Sequence, residues 1–464
     1  MLVTLVILFV VGYLVIALEH PIKIDKTATA LLLGMLMWIV YTLGAEWFVP
    51  MVQAKEFANY LQDNPSLAGE SLHYQALKYV LDVDIVEALG DITQTLLFLI
   101  GAMTIVELID VHGGFRLITD RIVTRNKRRL LWIITGVTFF MSAILDNLTT
   151  TIVMIMLLNK LIANRKERWL YAGAIVLAAN SGGAWSPIGD VTTIMLWVKG
   201  NVTAPALVSY VLLPSIVSVV LPVYIVSCRL KGKLPPVKKD RDVDETIPHT
   251  ESLTMLILGV SALIFVPVFK TITHLPPFVG MLLMLGVLWV FTEIWYNAKK
   301  MRDRIREHRL PQVIRHIDMP SILFFLGILM AVSVLQSAGI LGRIASALDS
   351  HIHNVYAIDA VLGVFSSIVD NVPMVAAAMG MYPVADPGAV GYAANFVIDG
   401  TFWELLSYCA GVGGSMLIIG SAAGVIAMGL EKISFGWYMK NFTGLAFLGY
   451  AAGILIYVLE KFLF

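Results

Sequence analysis

The stretch "NSGGAWSPIGDVTT", residues 180–193, lies inside an apolar run that otherwise reads as a membrane-spanning helix. Two adjacent glycines, a proline and an aspartate at the centre of such a run break its helix and set a carboxylate at a depth where water is scarce. The surrounding chain has the composition of a polytopic membrane protein: 58% of its 464 residues are hydrophobic, 14% are charged, and the mean hydropathy is +0.80. These values exclude an ordinary soluble domain. The 33 basic and 33 acidic residues cancel, so no global charge points to nucleic acid, and the informative quantity is where the charges lie. Cys228 and Cys409 fall in or beside apolar runs, which leaves no disulfide framework and no metal cage. The first eighteen residues lack the basic start and small-residue cleavage site of a signal peptide and read as a first span.

A helix needs about 20 apolar residues to cross the hydrocarbon core. Runs of that kind lie near 2–18, 27–45, 92–110, 171–199, 205–228, 253–270, 276–296, 320–338, 402–430 and 441–460, which gives about ten crossings. Residues 131–163 do not fit that count, because "RNKRR" (125–129) and "NRKER" (164–168) flank them with the positive clusters of a cytoplasmic face. Their 33 residues are too few for two full spans, so the reading is a re-entrant hairpin with its tip near "DNLTT" (146–150). A second odd run, 355–383, has almost no basic flanks and reads as a hairpin entering from the other side. The loops "RLKGKLPPVKKDR" (229–241) and "KKMRDRIREHR" (299–309) are basic, while 46–91 holds eight acidic residues against Lys55 and Lys78. Threading the spans with basic loops inside puts both termini on the outer side.

The two hairpins invite a comparison of the halves. "LLFLIGAMTIVELIDVHGG" (96–114) matches "ILFFLGILMAVSVLQSAGI" (322–340), "ILDNLTTTIV" (144–153) matches "IVDNVPMVAA" (368–377), and "GGAWSPIGD" (182–190) matches "GGSMLIIGS" (413–421). Three blocks recur in the same order, one set beginning outside and the other inside. The expected fold is an all-α polytopic membrane protein of two inverted repeats, 1–230 and 253–464, joined by a cytoplasmic linker at 231–252. Each repeat carries a re-entrant hairpin (131–163, 355–383) and an interrupted helix (171–199, 402–430). Secondary transporters are built this way, with their sites at the midplane where hairpin tips and broken helices converge.

An ionised carboxylate in a membrane interior costs several kcal/mol and marks an ion path or proton relay. Asp146, Asp190 and Asp370 each fall in a backbone interruption at such a depth. Asn147 and Asn371 stand beside two of them, and for these both cation ligation and simple satisfaction of freed backbone groups stay open. Asn180, Ser186, Thr192, Thr193, Thr149, Thr150 and Ser415 add neutral oxygens. An oxygen-only set containing carboxylates suits Na+, Li+ or H+ rather than a soft metal. The hairpin and broken-helix cores hold no Lys or Arg, which argues against an anionic substrate. A buried carboxylate favours its proton and a bound cation favours the ionised form, so the two compete, and competition for one site suffices for antiport. No cofactor is called for beyond the transported ions. Glu107 and Asp110 read as a cytoplasmic-end pair, His112 as structural, and Glu404 as one more candidate buried acid.

At these residues the sequence resembles the NhaD-type Na+/H+ antiporters of the ion transporter superfamily, which also holds arsenite, citrate and dicarboxylate carriers. The blocks are "GAMTIVELIDVHGGF" (101–115), "LDNLTTTIVM" (145–154), "SGGAWSPIGDVTTIMLW" (181–197), "DNVPMVAA" (370–377) and "GGSMLIIGSAAGV" (413–425). The resemblance implies exchange of cytoplasmic Na+ or Li+ for external H+ in a bacterial inner membrane, usually at alkaline pH, by a homodimer. It also implies that Asp146, Asn147, Asp190, Thr192, Thr193, Asp370 and Asn395 match positions used in transport, Asn395 on the "ANFVIDGTFW" match alone. Two rivals are an anion symporter of the same superfamily, disfavoured by Asp-Asn at both tips, and an intramembrane aspartyl protease. The latter needs two aspartates sharing a proton and has no use for an inverted repeat.

Overall fold

The computed structural model describes residues 1–17, 19–119, 122, 124–235, 248–298 and 309–463. The middle of the expected linker and most of the 299–309 loop lie outside the described residues. All described elements are helical, with no β-strand among them. Among the described residues, eight helices are long and apolar enough to cross a membrane: Lys26–Leu43, Leu72–Val111, Lys127–Leu145, Ala204–Arg229, His249–Thr273, Pro277–Asn297, Met319–Ser337 and Phe435–Leu463. Seven of these contain or match expected spans. Of the other expected spans, the first is the shorter helix Leu2–Ala17 of 16 residues, and the runs at 171–199 and 402–430 are each split in two. The eighth long helix, Lys127–Leu145, was expected as one arm of a hairpin, yet its 19 residues suffice for a crossing by length and composition.

The chain forms two compact units. One comprises Met1–Leu96, Asp318–Asn354 and Val372–Val384; the other comprises Leu97–Ile317, Val355–Asn371 and Ala385–Phe464. Each draws on both halves of the sequence, a different division from that of the repeat. In the first unit, Lys26–Leu43 and Met319–Ser337 cross where small residues let their backbones touch. A Cβ on Gly34 would fall against the Gly327 carbonyl, and one on Gly327 against the backbone of Ala30, the close approach that glycines permit in membrane helices. The same unit buries Tyr41, whose hydroxyl donates to Asp84 Oδ2 at 2.9 Å.

The second unit holds both interruptions. Arg165–Ala184 stops and resumes as Val191–Val198, and Thr401–Gly413 stops and resumes as Ala422–Glu431. Lys127–Leu145 and Asn147–Leu161 meet at the single residue Asp146, which is the C-cap of one and the N-cap of the other. Val355–Ser366 is followed by residues 367–370 and then Asn371. Contacts repeat between the halves: Ser142 Oγ donates to the Ala179 carbonyl at 2.6 Å, and Ser366 Oγ to the Ala410 carbonyl at 2.8 Å. A Cβ on Gly182 would strike the Phe139 carbonyl, and one on Gly413 the Gly363 carbonyl. The ends of the two interrupted helices are tied as well. Arg168 pairs with the wholly buried Glu431 at 3.0 Å, while Asp399 accepts from the Thr203 N–H at 2.5 Å and its hydroxyl at 2.9 Å.

Candidate functional site

Asp190 closes the first break and caps the helix that follows it. Its Oδ1 accepts from the Thr192 N–H and the Thr192 hydroxyl, both at 3.0 Å, and Thr193 Oγ1 donates to the Asp190 carbonyl at 2.8 Å. These are the bonds of an N-cap, a position that an aspartate fills well. They leave Oδ2 to other partners, and both are asparagines at the tips. Asn147 Nδ2 donates to Oδ2 at 2.6 Å; Asn371 Nδ2 lies 3.2 Å from Oδ2 and 3.4 Å from Oδ1. Two residues far apart in sequence and alike in local motif thus converge on one carboxylate that is 0% exposed.

Asn180 extends the network across the two interrupted helices. Its Oδ1 accepts from Asn147 Nδ2 at 3.1 Å, while its Nδ2 donates to Ser415 Oγ at 2.9 Å and Ser421 Oγ at 2.8 Å. Asn147, Asn180, Asn371, Ser415 and Ser421 are all buried. Among the described residues no Lys, Arg or His is hydrogen-bonded to this cluster. Residues 6–398 match the family CitMHS, described as citrate transporter.

The chain belongs to the CitMHS family. Its relatives include "Sodium/proton antiporter 2" of Arabidopsis thaliana, 40% identical over 97% of this chain and 98% of that protein. "Sodium/proton antiporter 1" of the same plant is 42% identical over 98% of this chain and 72% of that protein. The "Na(+)/H(+) antiporter NhaD" of Vibrio cholerae is 29% identical over 98% of this chain and 90% of that protein. The NhaD resemblance seen in the sequence blocks is therefore matched by named relatives along the whole chain.

The remaining candidate residues of this CitMHS chain sit differently. Asp146, Asp190 and Asp370 do not gather into one group: among the described residues no three His, Cys, Asp or Glu side chains are placed to hold a metal ion together. Asp146 and Asp370 are half-buried. Asp146 caps Asn147–Leu161 by accepting from the Thr149 N–H at 2.7 Å and the Thr149 hydroxyl at 3.1 Å. Its backbone has φ 94° and ψ 162°, a region almost confined to glycine, which costs a side-chain-bearing residue about 1–3 kcal/mol. The strain points the next residue, Asn147, at Asp190. Thr150 Oγ1 is buried with no hydrogen-bond partner. Ser186 Oγ donates to the Ala143 carbonyl at 2.5 Å and so pins the break to the first tip rather than touching the carboxylate.

Asn395 lies in the short turn Gly391–Phe396 and donates to the Tyr392 carbonyl at 2.9 Å; among the described residues no hydrogen bond joins it to the cluster. His112 is buried, with Nδ1 2.7 Å from the Leu108 carbonyl and Nε2 against the Tyr296 hydroxyl, a structural setting. Glu107 lies 3.9 Å from His316. Glu404 is buried and bonded to Tyr457 and Lys461, each at 2.7 Å. Ser421 was missed as a site residue. Its alignment with Asp190 was visible, but not that it would meet Asn180.

Proposed function

We propose that this chain exchanges Na+ or Li+ for H+, with Asp190 as the group for which the two ions compete. One observation carries the reading: a fully buried carboxylate receives an asparagine from each hairpin tip and no cationic side chain. An ionised carboxylate in such a place needs a neutralising partner, and a proton or an alkali cation can each supply it. With a proton bound, the amide N–H groups of Asn147 and Asn371 face Asp190. With a cation bound, the same amides turn over and present Oδ1, which joins Asp190, Thr192 Oγ1 and Thr150 Oγ1 as an oxygen-only set suited to a hard ion. Since the carboxylate accepts one or the other, the two ions travel in opposite directions.

Cytoplasmic Na+ leaves and external H+ enters if the membrane holds a proton gradient of the usual sign. The two halves are proposed to be inverted and the hairpins re-entrant, with both termini on the outer side of a homodimer. Relatives come from a plant as well as from bacteria, so the proposed location is a membrane that maintains a proton gradient, of which a bacterial inner membrane is one case. The sodium/proton antiporter names of the relatives support this reading. A second reading, carriage of citrate, follows from the family's description and is disfavoured because, among the described residues, no Lys, Arg or His is bonded to the cluster.

The test is collapse of an imposed pH gradient in vesicles carrying the full chain. Addition of NaCl or LiCl should dissipate it, and Asp190→Asn, which neither takes up a proton nor carries a charge, should slow the dissipation by roughly 100-fold or more, since even hydrogen bonds to a charged group are worth about that much. A wild-type chain that leaves the gradient intact with both salts but collapses it with citrate would transfer the proposal to the second reading.

A further inference from the structure

The helix Val355–Ser366 presents one face of Asp359, Gly363 and Ser366 at helical spacing. Ser366 bonds the Ala410 carbonyl at 2.8 Å. A Cβ on Gly363 would meet both the Cys409 carbonyl and the Tyr450 hydroxyl, and that hydroxyl donates to the Ala360 carbonyl at 2.8 Å. Asp359, one turn before Gly363, enters the same interface. It is 0% exposed, and neither of its carboxyl oxygens has a hydrogen-bond partner.

Among the described residues, the groups known to lie around it offer no counter-charge. Thr401–Gly413 brings Cys409, and Gly444–Leu463 brings Tyr450 and Tyr457, all within electrostatic range of Asp359; Tyr356 of the Asp359 helix stands near Tyr457. Beyond Tyr457 lies Glu404, whose Oε2 is held by Tyr457 and Lys461 while Oε1 has no partner. Lys461 in turn stacks over the Tyr210 ring at 3.6 Å. A bare carboxylate ion with no partner is too costly for such a site, so Asp359 holds a proton in this conformation. An inert position there would be better served by an apolar side chain. The first-half counterpart is Thr135, likewise buried and unpartnered, while Ser421 stands where the first half has Asp190. At these two paired positions the acids are therefore staggered: Asp190 stands on the first interrupted helix and Asp359 on the second hairpin arm.

We propose that Asp359 is a second proton-carrying site, distinct from Asp190, loaded in this conformation and emptied toward Tyr457 and the Glu404–Lys461 pair in the other. It rests on the antiport reading. Only an O–H bond changes: a proton adds to a carboxylate oxygen on loading and returns to water on release. Asp190 alone exchanges one proton for one Na+ with no net charge moved. With Asp359 cycling, two protons enter per Na+, and exchange responds to membrane potential.

The test is the proton-to-Na+ ratio of the full chain in proteoliposomes, read from the Na+ gradient that balances an imposed pH gradient. Wild type should give two protons per Na+, and Asp359→Asn, the shape of the protonated acid, one. A ratio unchanged in Asp359→Asn overturns the proposal. If that variant does not transport, infrared difference spectroscopy on the purified protein decides. A carboxylic-acid band that is lost as pH rises through the transport range, absent in Asp359→Asn and shifted in Asp359→Glu, supports a cycling proton; a band that never titrates overturns it. A wild type that moves no Na+ sinks the antiport reading, and the same band then reports on Asp359 alone.

Discussion

The two interrupted helices bend for the same reason and then differ in chemistry. Gly183 sits against the Gly189 carbonyl in one, and Gly414 against the Gly420 carbonyl in the other, so both breaks are folded by a pair of glycines approaching too closely for any side chain. The next residue caps the resumed helix in each case: Asp190 accepts from the Thr192 N–H at 3.0 Å, and Ser421 Oγ accepts from the Gly424 N–H at 3.2 Å. Capping needs only an oxygen acceptor, and serine supplies one nearly as well as aspartate. The full charge at 190 is thus more than the fold requires, and it is the part of the break that transport has to explain.

The sharpest way to break this comparison is to exchange the two caps. A chain carrying Asp190→Ser and Ser421→Asp keeps its charge and both caps, but the acid then faces Asn180 instead of the two tip amides. Cation-driven dissipation of a pH gradient should fall roughly 100-fold, as for losing hydrogen bonds to a charged group; wild-type rates in that double variant would make the halves interchangeable. Next in size, Gly182→Ala and Gly413→Ala should each destabilise the detergent-purified chain by about 1–3 kcal/mol, the usual cost of overpacking. Equal drops in melting temperature would mark the breaks as mechanical equals, and an effect in one alone would not. The smallest effect sharpens the comparison of the tips. The Asn147 amide lies 2.6 Å from Asp190 and the Asn371 amide 3.2 Å, so losing the cation-facing Oδ1 in Asn147→Ala should raise the half-saturating Na+ concentration about 10-fold, and in Asn371→Ala only about 3-fold.

Much of this was legible because membrane helices advertise their exceptions. Glycine pairs, Asp-Asn tips and an aspartate within an apolar run stand out against a background that excludes them, and Asn147, Asn180, Asp190, Asn371 and Ser415 were all named from that contrast. What failed to show was of three kinds. The helix ending at Val111 begins near Leu72 rather than 92, because Asp82, Asp84, Glu87 and Asp91 interrupt the apolar run while the backbone turns through a wider loop at Val80–Asp84. Arg168 and Glu431 sit in segments that read as polar ends, and nothing local says that they meet. Asp359 was passed over inside the second hairpin because it has no motif beside it. The signal was nonetheless present, since a lone acid in the run "VYAIDAVLGVFS" is as anomalous as the one in the opening stretch.

Asp146 joins two helices through a single residue in a glycine-like backbone conformation, whereas the second tip uses residues 367–370. A one-residue joint has no slack. Inserting or deleting a residue there would rotate Asn147 by about 100° around its helix and carry its amide off Asp190, while the longer tip can absorb small changes of length. Over evolutionary time the first tip should behave as a fixed point of the reading frame of the fold, open to exchange of side chains but closed to gaps, and the second should be where length varies.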